Sequence, residues 1–514
     1  MTVPARSDSS ETSPAPITRR SVVLIFLALM LAMLLASLNQ TVLSTALPTM
    51  VGELNGVDQM LWVMTAFILA STIMMPIYGK LGDLIGRKGL FLAAISLFIA
   101  GSVIGGLAPT MDWLIAGRVV QGLGGGGLMI MSQAIIADIV PARQRGRYAG
   151  FIGAVFAVSS VAGPLLGGWF TEGIGWRWAF WINIPLGLLA LAAAAFLLRL
   201  PRPRPERLHV DAWGMAFLAA ATTCLILTST WGGSQYAWNS PVIIGLILGT
   251  VVSSALFILA EHRAAEPIIP LHLFRDRTFV LTTVAGLLTG LMMFGILGYV
   301  PTYVQMATGT EATVAGLLMT PMMGGLLVTS IGTGQFVSRT GRYKWIPVGG
   351  SLIVTAGLLL LSTVTPTTPI WAICGYLVVV GIGLGSSMQL LVLMVQNAFP
   401  LSQVGTATAA NNFFRQIGAS LGSAIVGSLF TVRLMDFLTE RLPGGAALPS
   451  GGTTSSLTPE LVHRLPDSLR QVVIDSYNDA LIPLFLVLSP LGLVAAALLT
   501  LVKEKPLATT IERD

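Results

Sequence analysis

The sequence of 514 residues is poor in charge, since Asp, Glu, Lys and Arg together make up 10% of the chain. Soluble domains contain about 25%. Apolar residues account for 54%, and the mean hydropathy is +0.80. No segment long enough for a soluble domain lacks apolar runs of membrane-spanning length. The composition therefore excludes a soluble enzyme or binding module and predicts an all-α polytopic membrane protein.

The sequence also contains few residues that catalyse reactions or bind metals inside a membrane. Its two cysteines, Cys224 and Cys374, lie in apolar runs. All four histidines lie in the segments that separate the apolar runs. It has no HExxH motif, no pair of intramembrane carboxylates and no phosphate-binding GxxxxGK[ST] loop. We therefore expect no enzyme, no nucleotide-driven pump, no metal site and no other cofactor. The basic residues are scattered between apolar runs, which excludes a nucleic-acid partner.

The apolar runs predict fourteen transmembrane helices, divided into six, two and six. They lie at about 21–47, 58–80, 89–108, 112–137, 148–170, 179–199, 213–231, 240–260, 279–303, 313–336, 346–364, 369–396, 405–431 and 480–502. The predicted organisation is a disordered cytoplasmic tail (1–20), a six-helix bundle (21–200), two inserted helices (201–265), a second bundle (266–502) and a cytoplasmic tail (503–514). Segment 432–479 is predicted to be extracytoplasmic, with an amphipathic helix in its second part.

The positions of the basic residues predict the orientation. Most of the 29 lysines and arginines fall in segments that this arrangement places in the cytoplasm, as the positive-inside rule requires. We therefore expect both termini on the cytoplasmic side of a bacterial inner membrane.

One short segment between helices two and three is repeated in weaker form. The sequence GKLGDLIGRKG runs from Gly79 to Gly89, and GQFVSRTGRYK begins at Gly334 after another predicted inward span. Similarity between two halves is typical of a transporter that arose by duplication.

With these motifs the chain resembles the fourteen-helix drug:proton antiporter branch of the major facilitator superfamily. GKLGDLIGRKG is similar to the superfamily's loop between helices two and three. Trp176–Gly187 (WRWAFWINIPLG) and Pro267–Phe279 (PIIPLHLFRDRTF) are similar to segments of its fourteen-helix members. The resemblance implies a major facilitator fold of two six-helix bundles plus two inserted helices. It also implies a rocker-switch mechanism of alternating access.

The resemblance assigns two structural motifs. A cytoplasmic latch would comprise Gly79, Asp83, Gly86, Arg87, Lys88 and Asp138, with Asp83 facing the N-terminus of the helix near Gly405 and Arg87 paired with Asp138. The antiporter motif of helix five would comprise Gly150, Gly163, Pro164, Gly167 and Gly168, with Ser159 replacing one of its glycines. Small residues permit close helix contact, and Pro164 removes a backbone donor.

Polar residues inside the membrane are candidates for the proton and substrate pathway, because burying them in lipid is costly. They are Asn39, Gln40, Asp112, Arg118, Gln121 and Arg415, the last accompanied by Asn411, Asn412 and Gln416. Counted along their helices, Asn39 and Arg118 lie about 12 Å and 9 Å from the outer ends. This similar depth predicts that the two side chains can hydrogen-bond.

Asn39 departs from the family pattern, because the resemblance places an aspartate there and an amide does not titrate. Three interpretations remain open. Shallower acids such as Asp112, Asp58 and Asp138 carry the proton; transport is not proton-driven; or Asn39 replaces an aspartate and imitates its protonated form.

Residues of the second bundle are candidates for the substrate cavity, namely Tyr299, Tyr303, Gln305, Met388 and Gln389, although core packing explains most of them equally well. Flexible methionines and aromatic rings suit varied apolar ligands. The sequence predicts a monomeric exporter of drugs or other lipophilic compounds, coupled to protons and surrounded by membrane lipids. The alternative is a lipid or metabolite exporter or uptake carrier that is not tightly coupled to protons.

Overall fold

The computed structural model describes residues 19–198, 200, 209–233, 235–310, 316–441, 462 and 465–510. Within these residues the chain is helical, and the one β-contact is an isolated bridge between Gly232 and Tyr236. The predicted N-terminal tail lies almost wholly outside the described residues, as do the glycine-rich part of segment 432–479 and the last four residues.

Fourteen helices coincide with the fourteen predicted spans, so the predicted all-α fold is confirmed. They are α1 (Arg19–Glu53), α2 (Met60–Ile85), α3 (Arg87–Gly106), α4 (Met111–Ile139), α5 (Ala142–Trp169), α6 (Trp178–Leu197), α7 (Ala212–Trp231), α8 (Pro241–Arg263), α9 (Arg277–Thr308), α10 (Thr320–Thr340), α11 (Trp345–Leu361), α12 (Ile370–Ala398), α13 (Leu401–Arg441) and α14 (Asp467–Thr500). Of these, α9 is interrupted at residues 298–299.

The helix ends follow local chemistry. Thr110, Asp211, Ser240 and Asp276 each accept a hydrogen bond from a backbone N–H in the first turn of the helix that follows, which satisfies a donor that has no partner within the helix. One residue, Gly86, separates α2 from α3, and its φ of 94° is a conformation that favours glycine. This turn brings Asp83 and Arg87 to the same end of the molecule, which we call the inner end.

Separate apolar cores lie in the two halves of the chain. The first half buries side chains of α1–α6 against one another, and the second buries side chains of α9–α14. The inserted helices α7 and α8 pack on each other, and α7 also contacts α2 and α13. Helix α8 exposes nearly all of its apolar side chains. An apolar helix exposed in this way fits a position facing lipid.

The described parts of segment 432–479 extend the two neighbouring helices. Helix α13 continues to Arg441 and α14 already begins at Asp467. Of the residues expected to form an amphipathic helix, those from Asp467 onward lie in the first turns of α14, and most of those before it lie outside the described residues. At 41 and 34 residues, the two helices measure about 61 Å and 51 Å, well beyond a bilayer core of about 30 Å. Their extensions are joined by the ion pair between Arg441 and Asp479 at 2.7 Å.

The C-terminal segment, residues 503–510, lies across the inner end. The backbone N–H of Tyr343 donates to Glu504 Oε1 at 2.8 Å, and the Tyr343 hydroxyl donates to the Lys505 carbonyl at 2.9 Å. Burial raises the pKa of the Tyr343 hydroxyl, so it remains a donor. Further along the segment, the Ala508 carbonyl accepts a hydrogen bond from the backbone N–H of Arg143 at 3.0 Å. The segment therefore connects the second bundle to the first.

Candidate transport site

A cluster of buried polar side chains lies between α1, α3, α4 and α6. Gln121 Nε2 donates to Asn39 Oδ1 at 3.3 Å and to Ser102 Oγ at 2.7 Å. Asn183 Nδ2 donates to the same Asn39 oxygen at 3.1 Å. All four residues are at most 1% exposed. The oxygen of residue 39 is thus the acceptor on which this cluster converges.

The cluster has more donors than acceptors. Among the described residues, Asn39 Nδ2 and Arg118 Nη2 are buried and have no hydrogen-bond partner. Rotating the Asn39 amide would not help, because Nδ2 would then face two donors. An unpaired buried donor costs about 1–3 kcal/mol. A carboxylate at position 39, with two accepting oxygens and no donor, would suit these neighbours better than an amide does.

Arg118 is fully buried instead of extending to the membrane surface. Its Nε donates to the Val63 carbonyl at 2.9 Å, and its Nη1 donates to Gln121 Oε1 at 2.8 Å. The guanidinium also lies 4.3 Å from the centroid of the Phe67 ring, a cation–π contact. The expected bond between Arg118 and Asn39 does not form; Gln121 connects the two.

The glycines of α4 make this enclosure possible. A Cβ atom at Gly122 would lie 2.6 Å from the Phe67 carbonyl of α2, so only glycine permits this approach. Arg118, one turn away, is therefore surrounded by protein rather than by lipid.

A second polar cluster crosses from one bundle to the other. Asn412 Nδ2 of α13 donates to Gln133 Oε1 of α4 at 3.0 Å, and Gln396 Nε2 of α12 reaches the Gln133 carbonyl at 3.5 Å. Arg415 donates to Asn412 Oδ1. Arg415 therefore belongs to the contact between the bundles and lies apart from the Asn39 cluster.

The latch residues join the bundles at the inner end. Asp83 accepts hydrogen bonds from the Gly405 N–H at 3.1 Å, the Thr406 N–H at 2.7 Å and the Thr406 hydroxyl at 2.8 Å. Arg87 pairs with Asp83 at 2.8 Å and with Asp138, and it donates to the Leu401 carbonyl at 3.1 Å. Helix α13 begins at Leu401, slightly before the predicted start, so Asp83 meets its second turn.

The other latch residues have more local roles. A Cβ atom at Gly79 would lie 2.8 Å from the Gly405 carbonyl, so α2 and α13 cross in close contact here. Gly86 forms the turn described above. Lys88 Nζ donates to the Ala195 carbonyl of the same bundle at 2.7 Å.

The repeat in the second half forms a matching crossing. Gly334 of α10 lies directly against the backbone of Gly146 in α5. Arg143 donates to the carbonyls of Ser338 at 3.3 Å and Arg339 at 2.8 Å. Ser338 stands where the first copy has Asp83, so this crossing is held by backbone acceptors without a buried carboxylate. Both crossings close the inner end.

The helix-five motif packs α5 on two neighbours. Gly163 and Gly167 lie against Thr41 and Thr45 of α1, and Thr41 Oγ1 donates to the Ser159 carbonyl at 2.9 Å. Gly150 faces α10, where a Cβ atom would lie 2.8 Å from the Ser330 carbonyl. Pro164 lies inside α5, and a Cβ atom at Gly168 would meet nothing within 4 Å.

A cavity of about 740 Å³ lies in the half of the molecule away from the inner end, between α2, α7, α9 and α13. Its walls mix apolar side chains such as Leu61, Ile226 and Phe294 with hydroxyl and amide groups such as Thr65 and Gln416. None of the described lining residues is charged.

The five residues predicted to line one substrate cavity lie in different parts of the structure. Tyr299 lines the cavity and donates to the Ser423 carbonyl at 3.0 Å. Tyr303 is buried and donates to Asn478 at 2.7 Å. Gln305 bonds weakly within its own helix, Met388 packs on the second core, and Gln389 lines a small void near Gln133.

Two further pathway candidates lie nearer the surface. Asp112 is exposed at the start of α4 and accepts a hydrogen bond from Gln59 at 3.2 Å. Gln40 is half-buried. No Asp or Glu occupies the central turns of any described helix, and no group of three or more His, Cys, Asp and Glu could hold a metal there.

Sequence reasoning missed Asn183, Ser102 and Gln133. Asn183 lies in the aromatic segment WRWAFWINIPLG, which served only as evidence of similarity to fourteen-helix family members. The argument that identified Arg118, a polar side chain inside an apolar helix, applies equally to Asn183 and Gln133. Ser102 carries no such signal, because serine occurs commonly in membrane helices.

Comparison with known proteins identifies the family. Residues 29–423 match the family model described as Major Facilitator Superfamily. The chain is 41% identical over 97% of its length to an uncharacterised MFS-type transporter of Mycobacterium tuberculosis, covering 72% of that protein. It is 33% identical to Multidrug resistance protein 3 of Bacillus subtilis, over 96% of this chain and 97% of that one.

Solved structures agree on the fold. The proton:xylose symporter XylE superimposes with a TM-score of 0.63 at 15% identity, over 95% of this chain and 98% of that chain. The human organic anion transporter MFSD10 superimposes with a TM-score of 0.62 at 15% identity, over 95% and 100%. The chain is thus a transporter and not an enzyme, and it belongs to the major facilitator superfamily.

Proposed function

We propose that this transporter exports lipophilic compounds across a bacterial cytoplasmic membrane by alternating access, with both termini in the cytoplasm. The observation that carries this proposal is the uncharged cavity opposite a closed inner end. Its volume of about 740 Å³ lies within the range of roughly 300–1,000 Å³ that accommodates drug-sized ligands. A relative is named as a multidrug resistance protein, which supports the same substrate class.

The lining of the cavity indicates which class of compound it can bind. Apolar walls with scattered hydroxyl and amide groups suit compounds that are mostly apolar and carry a few polar atoms. A permanent cation would find no carboxylate among the described residues of the lining, and burying an unpaired charge is costly. We therefore expect neutral amphipathic compounds to be exported in preference to organic cations.

The two inner crossings support alternating access. Asp83 and Arg87 contact α13 on one side, and Arg143 contacts α10 on the other. Releasing substrate outward and binding it from the inside requires these contacts to break and re-form. They are hydrogen bonds and small-residue contacts, which can separate without disrupting either bundle's core.

Proton coupling is proposed through position 39. The donors of Gln121 and Asn183 converge on that side chain, and Arg118 Nη2 has no acceptor among the described residues. In the closed conformation these donors would stabilise a carboxylate there in its charged form, and it would bind a proton once a conformational change withdraws them. Asn39 occupies this position in the present chain, and its side-chain amide does not titrate.

The test uses proteoliposomes that contain a neutral lipophilic fluorescent substrate and an imposed proton gradient. The protein with Asn39 is compared with Asn39→Asp, and Asn411→Asp serves as the control. Asn411 is equally buried but belongs to the second bundle, where it donates to Thr283 at 3.2 Å. Gradient-driven efflux by Asn39→Asp alone supports coupling through position 39.

Other outcomes change the proposal. If the protein with Asn39 already responds to the gradient, a shallower acid carries the proton, and Asp112, Asp58 and Asp138 are substituted next. If no form responds while all exchange labelled substrate, proton antiport is wrong.

The second candidate is then an uncoupled carrier of lipids or metabolites. The absence of Asp and Glu from the central turns of the described helices favours it. Such a carrier equilibrates its substrate but never accumulates it.

A further inference from the structure

A groove that the proposed function does not use lies along the inner half of the first bundle, between α1 and α5. Its volume is about 1150 Å³. Its walls are apolar and include Val23, Leu27 and Leu34 of α1 and Phe151, Val155 and Val158 of α5. Leu27 and Val158 are 58% and 52% exposed, so the groove is open to the surrounding membrane.

The inner end of the groove is basic. Arg143 and Arg147, in the first turns of α5, line it together with Gln144 and Tyr148, and no acidic residue among those that the structure describes does so. Neither arginine has a carboxylate within ion-pair distance in the part of the chain that the structure describes. Within the described residues, two positive charges therefore lie without an acidic partner where the apolar wall meets the inner end.

The dimensions of the groove match one leaflet of a bilayer. From Val22 to Leu34, both of which line it, α1 rises about 18 Å. Half of the hydrocarbon core is about 15 Å. A molecule with an anionic head at the arginines and an acyl chain along α1 would fill the groove. Basic pockets between helices on the cytoplasmic side bind anionic lipid head groups in other membrane proteins.

We propose that this groove binds an anionic glycerophospholipid of the inner leaflet, with its phosphate between Arg143 and Arg147 and its acyl chains against α1 and α5. The lipid is a bound structural partner and not the exported substrate. Arginine suits this role because its fork of N–H groups can donate to a phosphate and to a carbonyl at once.

The position of the arginines predicts an effect on conformation. Arg143 already donates to the carbonyls of Ser338 and Arg339 in α10, and Gly146 lies between the two arginines along α5, against Gly334. A phosphate bound here would hold Arg143 in the orientation that spans the two bundles. The bound lipid therefore stabilises the closed inner end.

The first experiment measures lipid retention by native mass spectrometry. The full-length protein in detergent is incubated with equal amounts of phosphatidylglycerol and phosphatidylcholine. We expect selective retention of phosphatidylglycerol, a several-fold loss in Arg147→Gln and a larger loss in Arg143→Gln/Arg147→Gln. Arg342→Gln is the matched control, because Arg342 is an exposed arginine at the inner end outside the groove; it should retain lipid as the parent does.

Three results would overturn the proposal. Equal retention of phosphatidylcholine would mean an apolar groove without head-group recognition. Equal loss in Arg342→Gln would mean a general charge effect. Displacement by soluble glycerophosphate at the same concentration as the lipid would mean an anion site without a lipid. Size-exclusion profiles show whether each variant is folded, and since binding is measured without transport, the result does not depend on the proposed export function.

Discussion

Arg118 illustrates how single residues are stabilised inside this bundle. Its charge is balanced by a backbone carbonyl, an amide oxygen and an aromatic face, with no carboxylate in contact. Such an environment depends on the planar guanidinium, whose several N–H groups point in fixed directions.

We expect Arg118→Lys to destabilise the protein and to slow transport. A lysine ammonium cannot reach Val63 and Gln121 with the same geometry, so at least one buried acceptor loses its donor, at a cost of about 1–3 kcal/mol. Thermal unfolding in detergent measures the loss, with Arg342→Lys as an exposed control. An unchanged unfolding temperature would show that the guanidinium geometry does not matter.

The glycines of α5 allow a sharper comparison, because neighbouring residues differ in surroundings. A Cβ atom at Gly167 would lie 2.7 Å from the Val42 carbonyl, whereas one at Gly168 would meet nothing within 4 Å. Gly167→Ala should therefore push α5 away from α1 and cost about 1–3 kcal/mol. Gly168→Ala should be neutral or slightly stabilising. Equal effects of the two substitutions on thermal unfolding would contradict the packing described here.

For single residues, the sequence showed which polar side chains lie in apolar helices but not which groups they hydrogen-bond. A buried arginine in an apolar helix is visible in the sequence, and so is an asparagine at position 39. Which groups they bond depends on how α1, α3, α4 and α6 cross, and no local pattern encodes that crossing. For this reason Gln121 could be named, while its position between Arg118 and Asn39 could not be predicted.

Among the helices, the contacts at the inner end should control the conformational equilibrium. Asp83→Asn removes the charge that the Gly405 and Thr406 donors stabilise, so the inner end should open more often. Lys88→Gln is the control, since Lys88 bonds only within its own bundle.

The measurement is thiol labelling of Ile136→Cys, a position that is 4% exposed in the closed inner half, after replacement of Cys224 and Cys374 by serine. Labelling should accelerate several-fold with Asp83→Asn and remain unchanged with Lys88→Gln. Equal rates in all three proteins would mean that Asp83 does not hold the inner end closed.

The C-terminal segment should also help to hold the inner end closed. Deleting residues 503–514 removes the bonds of Glu504 and Lys505 to Tyr343 and the bond from Arg143 to Ala508. We expect faster labelling of Ile136→Cys, because one connection between the bundles is lost. Deleting only residues 511–514 leaves these bonds intact and should have no effect. An identical rate after both deletions would indicate that the segment lies passively on the surface.

The positions of the helices were predictable because a bilayer requires about 20 apolar residues per span. The ends of α13 and α14 were not, because their extensions outside the membrane mix apolar and charged residues, a pattern that a separate amphipathic helix would also show. The C-terminal segment also appeared in the sequence as a simple tail. Its binding depends on Tyr343, which lies far away in sequence.

For the whole molecule, fourteen spans predict that both ends of the chain lie on one side and residues near 450 on the other. In a protein whose native cysteines are replaced by serine, Ser450→Cys should react with a membrane-impermeant thiol reagent in intact cells. Thr509→Cys should react only after permeabilisation. Reaction of both in intact cells would show that α14 does not cross the membrane.

The long outer ends of α13 and α14 have a mechanical consequence. They belong to the second bundle and are joined by the ion pair of Arg441 and Asp479, so they move with that bundle. When one bundle tilts against the other about a pivot inside the membrane, displacement grows with distance from that pivot, and it is large at the tip near Arg441. A fluorophore pair placed there and near Gln59 would thus report, as a large change in the distance between the two labels, a tilt that is small within the membrane.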